Sequence, residues 1–282
     1  MSNPVSRREM LGGSLLALAS STLASAASSP VDDADGFKLG VASYSLRKLS
    51  RADAIKAMET LKCRYINIKE FHAPIKETEA QWKQARMDFE NAGIKILGVG
   101  NISMNKEDEG EIRRNFEYAK TLGAPVMVMA PTAKTAPMIE KFVKEYNIKA
   151  AIHNHGPEDK HFPAPMDVIN VVKSMDQRMG LCVDLGHTAR TGTTPLDGLK
   201  QATAAKRLYD IHIKDLKDLM AKDSQVAVGE GAMPIPAIFQ YLKQTGYKGG
   251  VMLEYEINAD NPLPGMVKSF EYMRSVIGKL KT

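Results

Sequence analysis

Gly180-Leu181-Cys182-Val183-Asp184-Leu185-Gly186-His187 is a short apolar run that stops on an acid and, three residues later, an imidazole. Four apolar or small residues are too few for a helix and read as a buried strand. The same figure recurs outward in both directions. Apolar runs lie at Leu39–Ser43, Tyr65–Ile68, Ile94–Val99, Pro125–Met129, Ala150–His153, Gly180–Val183, Leu208–Ile213 and Gly250–Leu253. Their centres fall roughly thirty residues apart, the length of one β-α unit. Between them, Arg51–Leu61, Glu79–Ala92, Asp108–Leu122, Pro137–Tyr146, Pro165–Met175, Pro195–Ala205, Pro234–Gln244 and Pro264–Ile277 carry apolar residues at helical spacing. Several open on proline, whose missing N–H costs nothing in a first turn. Gly93, Gly123 and Gly246 follow helix ends.

Eight strands alternating with eight helices predict a single (β/α)8 TIM barrel over residues 37–282. The competing doubly wound open sheet usually needs fewer strands. It also lacks support here, because no glycine-rich phosphate fingerprint follows the first strand. Ahead of the barrel, Ser6-Arg7-Arg8-Glu9-Met10-Leu11 reads as a twin-arginine export signal. A modest apolar stretch and an Ala24-Ser25-Ala26 cleavage site follow. We therefore expect a signal peptide over 1–26, a linker over 27–36 and a periplasmic protein. Cleavage after Ala26 leaves 256 of the 282 residues, and one barrel usually takes about 250. The leader is too short and polar to stay as a membrane anchor, and no later segment spans. Net charge is +5, of which Arg7, Arg8 and Glu9 carry +1. The remaining basic residues are scattered, which gives little support for a nucleic-acid partner. Cys63 and Cys182 stand apart and are expected to pack as buried thiols.

All six histidines (His72, His153, His155, His161, His187 and His212) fall at or just past a strand's C-terminal end. Glu70, Asp184, Asp215, Glu254 and Glu256 join them. In a barrel that end carries the active site. Side chains alternate along a strand, so His153 with His155, His212 with Lys214, and Glu254 with Glu256 each project to one side. Asp184, His212 and Glu254 occupy equivalent places on three consecutive strands and are the candidate metal ligands, with His153 the fourth. Imidazole and carboxylate donors suit Mn, Co, Zn or Fe(II) better than calcium. Manganese is the favoured ion, and one divalent ion is expected. His187 is expected to contact substrate. His72 and His155 are expected to contact substrate or support the ligands, and His161 to be solvated or part of a lid.

Taken together, several motifs resemble the xylose isomerase-like TIM barrels of the sugar phosphate isomerase/epimerase type, in an exported branch. They are Ser43-Tyr44-Ser45-Leu46-Arg47, Ile152-His153-Asn154-His155-Gly156-Pro157, Cys182-Val183-Asp184-Leu185-Gly186-His187, Arg190-Thr191-Gly192, Ile211-His212-Ile213-Lys214-Asp215 and Leu253-Glu254-Tyr255-Glu256. The resemblance covers nearly the whole chain after the leader. It implies a divalent-metal site made by Asp184, His212 and Glu254. The family's ketose epimerases place a glutamate on strand five, where this chain has His153. That glutamate is one of their two acid/base carboxylates, so its loss weakens a two-carboxylate epimerisation.

The implied chemistry is removal of a proton next to a sugar carbonyl through a metal-stabilised enediolate. Glu254 would be the base, and His155, His187 or Glu256 the second proton-transfer group. Lys214 and Arg190 would neutralise an oxyanion, their alternative being ion pairs with Asp215 or Asp184. Tyr44, Glu70, His72 and Arg190 would line the substrate. The substrate is a small carbohydrate, and members are often homo-oligomers. β-Elimination on a 3-keto-glycoside, a non-catalytic sugar-binding subunit and an abasic-site endonuclease are the alternatives. The last requires a strand-three histidine that is missing here.

Overall fold

The computed structural model describes residues 36–280. The export signal, and the linker up to residue 35, lie outside the described residues. Eight parallel strands close into a barrel: β1 (Lys38–Ala42), β2 (Tyr65–Ile68), β3 (Lys95–Met104), β4 (Val126–Pro131), β5 (Lys149–His153), β6 (Met179–Asp184), β7 (Leu208–Ile213) and β8 (Gly250–Leu253). Each pairs with its sequence neighbours, and β8 closes the ring on β1. The expected (β/α)8 barrel is therefore the fold.

The helices are α1 (Arg51–Thr60), α2 (Glu79–Asn91), α3 (Glu109–Thr121), α4 (Ala136–Tyr146), α5 (Pro165–Val172), α6 (Leu185–Arg190), α7 (Pro195–Ala204), α8 (Ile235–Gln244) and α9 (Leu263–Ile277). Side-chain caps explain many of the starts. Ser50, Thr78, Asp108 and Thr194 each accept a backbone N–H of the first turn.

Alternation along the strands divides the apolar residues into two shells. Ile66, Leu181, Val183, Ile211, Ile213, Val251 and Leu253 face outward and bury the helices' inner faces. Ala42, Tyr65, Leu97 and Met252, with Val128, Ala151 and Cys182, fill the barrel's interior as two small clusters. The inward row of β7 is therefore Asp210 and His212, and that of β8 includes Met252 and then Glu254. Both cysteines are buried and neither is in a disulfide among the described residues, which fits the expected buried packing.

Three features were not foreseen. Strand β3 runs five residues past Val99, with its register against β4 broken between Val99 and Ile102. Gly100 makes that break possible: φ is +103°, and a Cβ there would meet the Val128 carbonyl oxygen. A short helix, α6, follows β6 directly. A two-residue antiparallel ladder, Asp215–Leu216 with Gln225–Val226, projects from the β7–α8 connection.

Candidate metal centre and active site

The parallel register brings strand ends level. His153 pairs with Cys182, and Asp184 with His212. With the inward alternation this converges four buried side chains at the C-terminal mouth. His153, Asp184, His212 and Glu254 each offer a donor atom, all within 4.8 Å of one another. His153 Nε2 is 3.0 Å from His212 Nδ1 and 3.4 Å from Asp184 Oδ2. His212 Nδ1 is 4.0 Å from Asp184 Oδ2 and 3.1 Å from Glu254 Oε2. Donors bound at about 2.0–2.2 Å to one ion stand roughly 3–3.5 Å apart, so the set fits a single small cation.

One buried atom strengthens the fit. Asp184 Oδ2 has no hydrogen-bond partner. Asp184 Oδ2 does lie 3.0 Å from Lys214 Nζ, but as an ion contact without hydrogen-bond alignment. Its lone pairs are therefore open to an ion among the four donors. Asp184 is oriented by its other oxygen: Oδ1 accepts the His187 N–H at 2.8 Å and caps α6. The unforeseen helix is thus what aims the ligand.

Electrostatics keep His153, Asp184 and Glu254 in ligand form. Burial pulls His153 well below the usual imidazole range, against Asp184, so it is neutral. Burial pushes Asp184 and Glu254 upward, but the groups around them outweigh it at both. Lys214, His187 and His153 hold Asp184 low. His212, Lys69 and Lys214 hold Glu254 well below the carboxylate range. Lys214 is buried, yet Asp184, Glu254 and Glu256 hold it protonated. Its ammonium is 3.1 Å from Glu254 Oε2 and also pairs with Glu256.

Around this centre, His155 Nδ1 is 3.4 Å from His153 Nδ1, and the His155 ring lies 5.2 Å from that of His187. The His155 side chain is 40% exposed. Burial pulls His187 below its ordinary value, with Asp184 opposing. Arg190 Nη1 donates to His187 Nδ1 at 3.3 Å, which assigns the neutral ring's proton to Nε2. Arg190 itself is buried and paired with Glu158. Of the two partners expected for Arg190 and Lys214, Asp184 pairs with Lys214 and neither pairs with Arg190. A cavity of about 260 Å³ opens here, lined in part by His187, Arg190, Lys214, Gln225 and Glu256.

Other expected site residues lie elsewhere. His72 corrects the expectation of a substrate contact. It is 1% exposed, with Nδ1 3.0 Å from Ser43 Oγ and Nε2 3.2 Å from the Leu46 carbonyl. It supports the turn after β1. Asp215, next to Lys214, points to the opposite side and accepts the backbone N–H groups of Leu216, Gly229, Gly231 and Met233. It staples the connection to α8. Glu70 and His161 are exposed. Tyr44 is half-buried, with the Lys69 ammonium 5.1 Å from its ring centre.

Sequence reasoning missed Lys69, whose Nζ is 3.0 Å from Glu254 Oε1. It also missed Gln225, which donates to the Glu254 carbonyl and accepts the Glu256 N–H. Only inward alternation along β2, which places Lys69 two residues beyond the inward Asn67, signals the lysine.

A closed β/α barrel with imidazoles and carboxylates gathered at its C-terminal mouth defines the class. Residues 97–276 match the xylose isomerase-like TIM barrel, and the chain belongs to that family. The rhizopine catabolism protein MocC of Rhizobium meliloti is 27% identical over 135 residues, 43% of this chain and 40% of that protein. The match thus spans about two-fifths of the relative's length. An uncharacterized protein from Parabacteroides distasonis superposes with a TM-score of 0.65 and 25% identity, covering 85% of this chain and 98% of that one. A D-tagatose 3-epimerase-like protein gives 0.68 and 18% identity over 85% and 97%. The 3-keto-D-glucoside 4-epimerase YcjR of E. coli gives 0.69 and 13% identity over 85% and 99%. The last two share the fold.

Proposed function

We propose that this chain is a divalent-metal-dependent enzyme of the sugar isomerase/epimerase type, which moves a proton on the carbon beside a carbonyl of a sugar or keto-sugar. The convergence of His153, Asp184, His212 and Glu254 within 4.8 Å at the barrel mouth carries this reading. The epimerases among its structural relatives agree with it. A divalent ion held by these four residues supplies Lewis-acid polarisation of the sugar's oxygens, a contribution of several kcal/mol. Manganese is the favoured ion, and export to the periplasm is part of the proposal.

The chain's own groups divide the remaining work. Both oxygens of Glu254 are engaged by cations, which suits a ligand and disfavours it as the base. His155, exposed at the mouth, is the base that takes the carbon-bound proton. A placed base is worth ~10²–10⁴ in rate. His187, with Nδ1 occupied by Arg190, presents Nε2–H to a substrate oxygen. Glu256 is 37% exposed and is the remaining carboxylate within reach.

The imidazole at position 153 also favours a second outcome. A base without a partner carboxylate in the ligand ring is better suited to take one proton and let a β-oxygen leave. That makes 3-keto-glycoside elimination the alternative product.

The test is proton NMR in D₂O with a panel of ketoses and 3-keto-glycosides, the enzyme loaded with Mn(II). Deuterium should enter at a carbon beside the carbonyl, and the product distinguishes isomer from alkene. Absence of both exchange and an elimination product with every member of the panel, from protein holding stoichiometric metal, removes the enzymatic reading.

A further inference from the structure

The carboxylate of Glu254 is divided between two sides of the barrel. Oε2 lies 3.1 Å from His212 Nδ1 and 3.1 Å from Lys214 Nζ, among the prospective ligands. Oε1 turns the other way, 3.0 Å from Lys69 Nζ. A carboxylate free at both oxygens can rotate or chelate through both. With Oε1 held, a single oxygen faces the ligand ring.

Lys69 is itself anchored. Its backbone N–H donates to Ser43 Oγ at 2.8 Å, and Ser43 Oγ is tied to buried His72. Its side chain is 12% exposed. The same turn holds the other partner. Ser45 Oγ accepts the Tyr255 N–H at 2.8 Å and donates to the Leu253 carbonyl at 3.2 Å, gripping the backbone on both sides of Glu254. Arg47 adds a bond to the Glu256 carbonyl at 2.6 Å. Strands β2 and β8 are not neighbours, since β1 lies between them. Residues 43–47 bridge the gap and set Lys69 against Glu254.

We propose that Lys69, set by the Ser43–His72 anchor, is a positioning residue that fixes Glu254 so that only Oε2 is presented to the ion. This rests on the reading of the four-residue cluster as a metal centre. The sign of one measurement separates positioning from mere charge. Deleting an ammonium leaves a more negative site, so a charge-only lysine predicts tighter binding of a divalent ion in its absence. Positioning predicts weaker binding, because groups that orient ligands typically contribute ~10–100-fold in affinity.

The experiment titrates metal-free protein with Co(II) against a chelator and records the visible spectrum. Lys69→Met should lose ~10–100-fold in affinity and change the Co(II) absorption as Oε1 becomes available. Lys69→Arg, which keeps a cation there, should recover most of both. If Lys69→Met does not fold, Ser43→Ala removes the backbone anchor and should lose affinity in the same direction. Unchanged or tighter binding with a wild-type spectrum overturns the proposal. Should wild-type protein take up no Co(II), the metal-centre reading fails, and the Lys69–Glu254 contact is then judged without metal. A thermal cycle of Lys69→Met, Glu254→Gln and the double variant should be non-additive, with Lys69→Met costing little once Glu254 is gone. Additive losses overturn it there too.

Discussion

Asp210 is the most exacting test of the charge arrangement, because its cost can be worked out in advance. It lies on the inward face of β7, 4% exposed, two residues below His212. Asn67 Nδ2 donates to it at 3.0 Å. Burial raises its pKa from the ordinary 3.8 to about 6, against His212 and the Asn67 bond. A raised folded-state pKa means the proton is held more tightly in the folded protein. The stability is then fully present below about 4 and is lost as pH climbs through about 6. The gap of about two pH units corresponds to ~3 kcal/mol.

Asp210→Asn keeps the shape and an acceptor for Asn67 but cannot ionise. In metal-free protein the variant should gain on the wild type by ~3 kcal/mol between pH 4 and pH 7, then run parallel to it. In a chain of this size that is on the order of 6–12 °C in Tm. Thermal unfolding of both proteins across pH 4–8 reads it directly. A Tm difference that stays constant with pH, or one that grows toward acid, refutes the account of Asp210 as a buried, costly carboxylate.

Asp184→Ala and His212→Ala should each purify without the divalent ion, losing more than the ~10–100-fold expected for a supporting group. Metal analysis of both variants checks this, and undiminished content in both removes the ligand assignment. Lys214→Met should behave oppositely to Lys69→Met. Its ammonium lies 3.0–3.1 Å from oxygens of Asp184 and Glu254, so its removal should tighten the ion. Without metal it should lose ~3–5 kcal/mol, the penalty for stranding buried carboxylates. Denaturant melts with and without Mn(II) decide it, and equal losses in both would count against the reading. Arg7→Lys with Arg8→Lys should retain the protein in the cytoplasm, since the address is read as an arginine pair. Fractionation showing normal periplasmic delivery would end the export proposal.

The barrel was legible because its signal repeats. Strands β2, β7 and β8 begin and end at the residues the apolar runs mark. The four candidate ligands were legible because alternation and the parallel register place them level. What could not be read depends on contacts across sequence. Lys69 and Glu254 are 185 residues apart, and nothing within residues 43–47 itself signals that this turn bridges their strands. His72 shares the strand-end position of real site residues, and only the Ser43 hydroxyl packed against it shows that it faces the wall. Asp215 was separable in principle: it follows inward Lys214, so alternation already turns it away from the mouth. Helix α6 escaped because Asp184 has two roles, with one oxygen capping a helix and the other left for an ion.

The imidazole at position 153 alters the charge of the site as well as its base. Three carboxylates, Asp184, Glu254 and Glu256, meet two ammoniums, Lys69 and Lys214, leaving one negative charge before an ion binds. A glutamate in place of His153 would make that two, and a divalent ion would bring the site to neutrality. With histidine the loaded site is positive by one. On that reading, developing negative charge on a sugar oxygen is met by a surplus of positive charge held in fixed positions, where such electrostatics act without reorganisation. On the proposed reading, the same substitution leaves proton removal to an imidazole outside the ligand ring, His155, with His187 a donor to a substrate oxygen. A site that stabilises an oxyanion strongly but has no paired carboxylates to return a proton on the opposite face favours loss of a leaving group over inversion. For that reason the product, rather than the rate, is the informative outcome of the D₂O experiment.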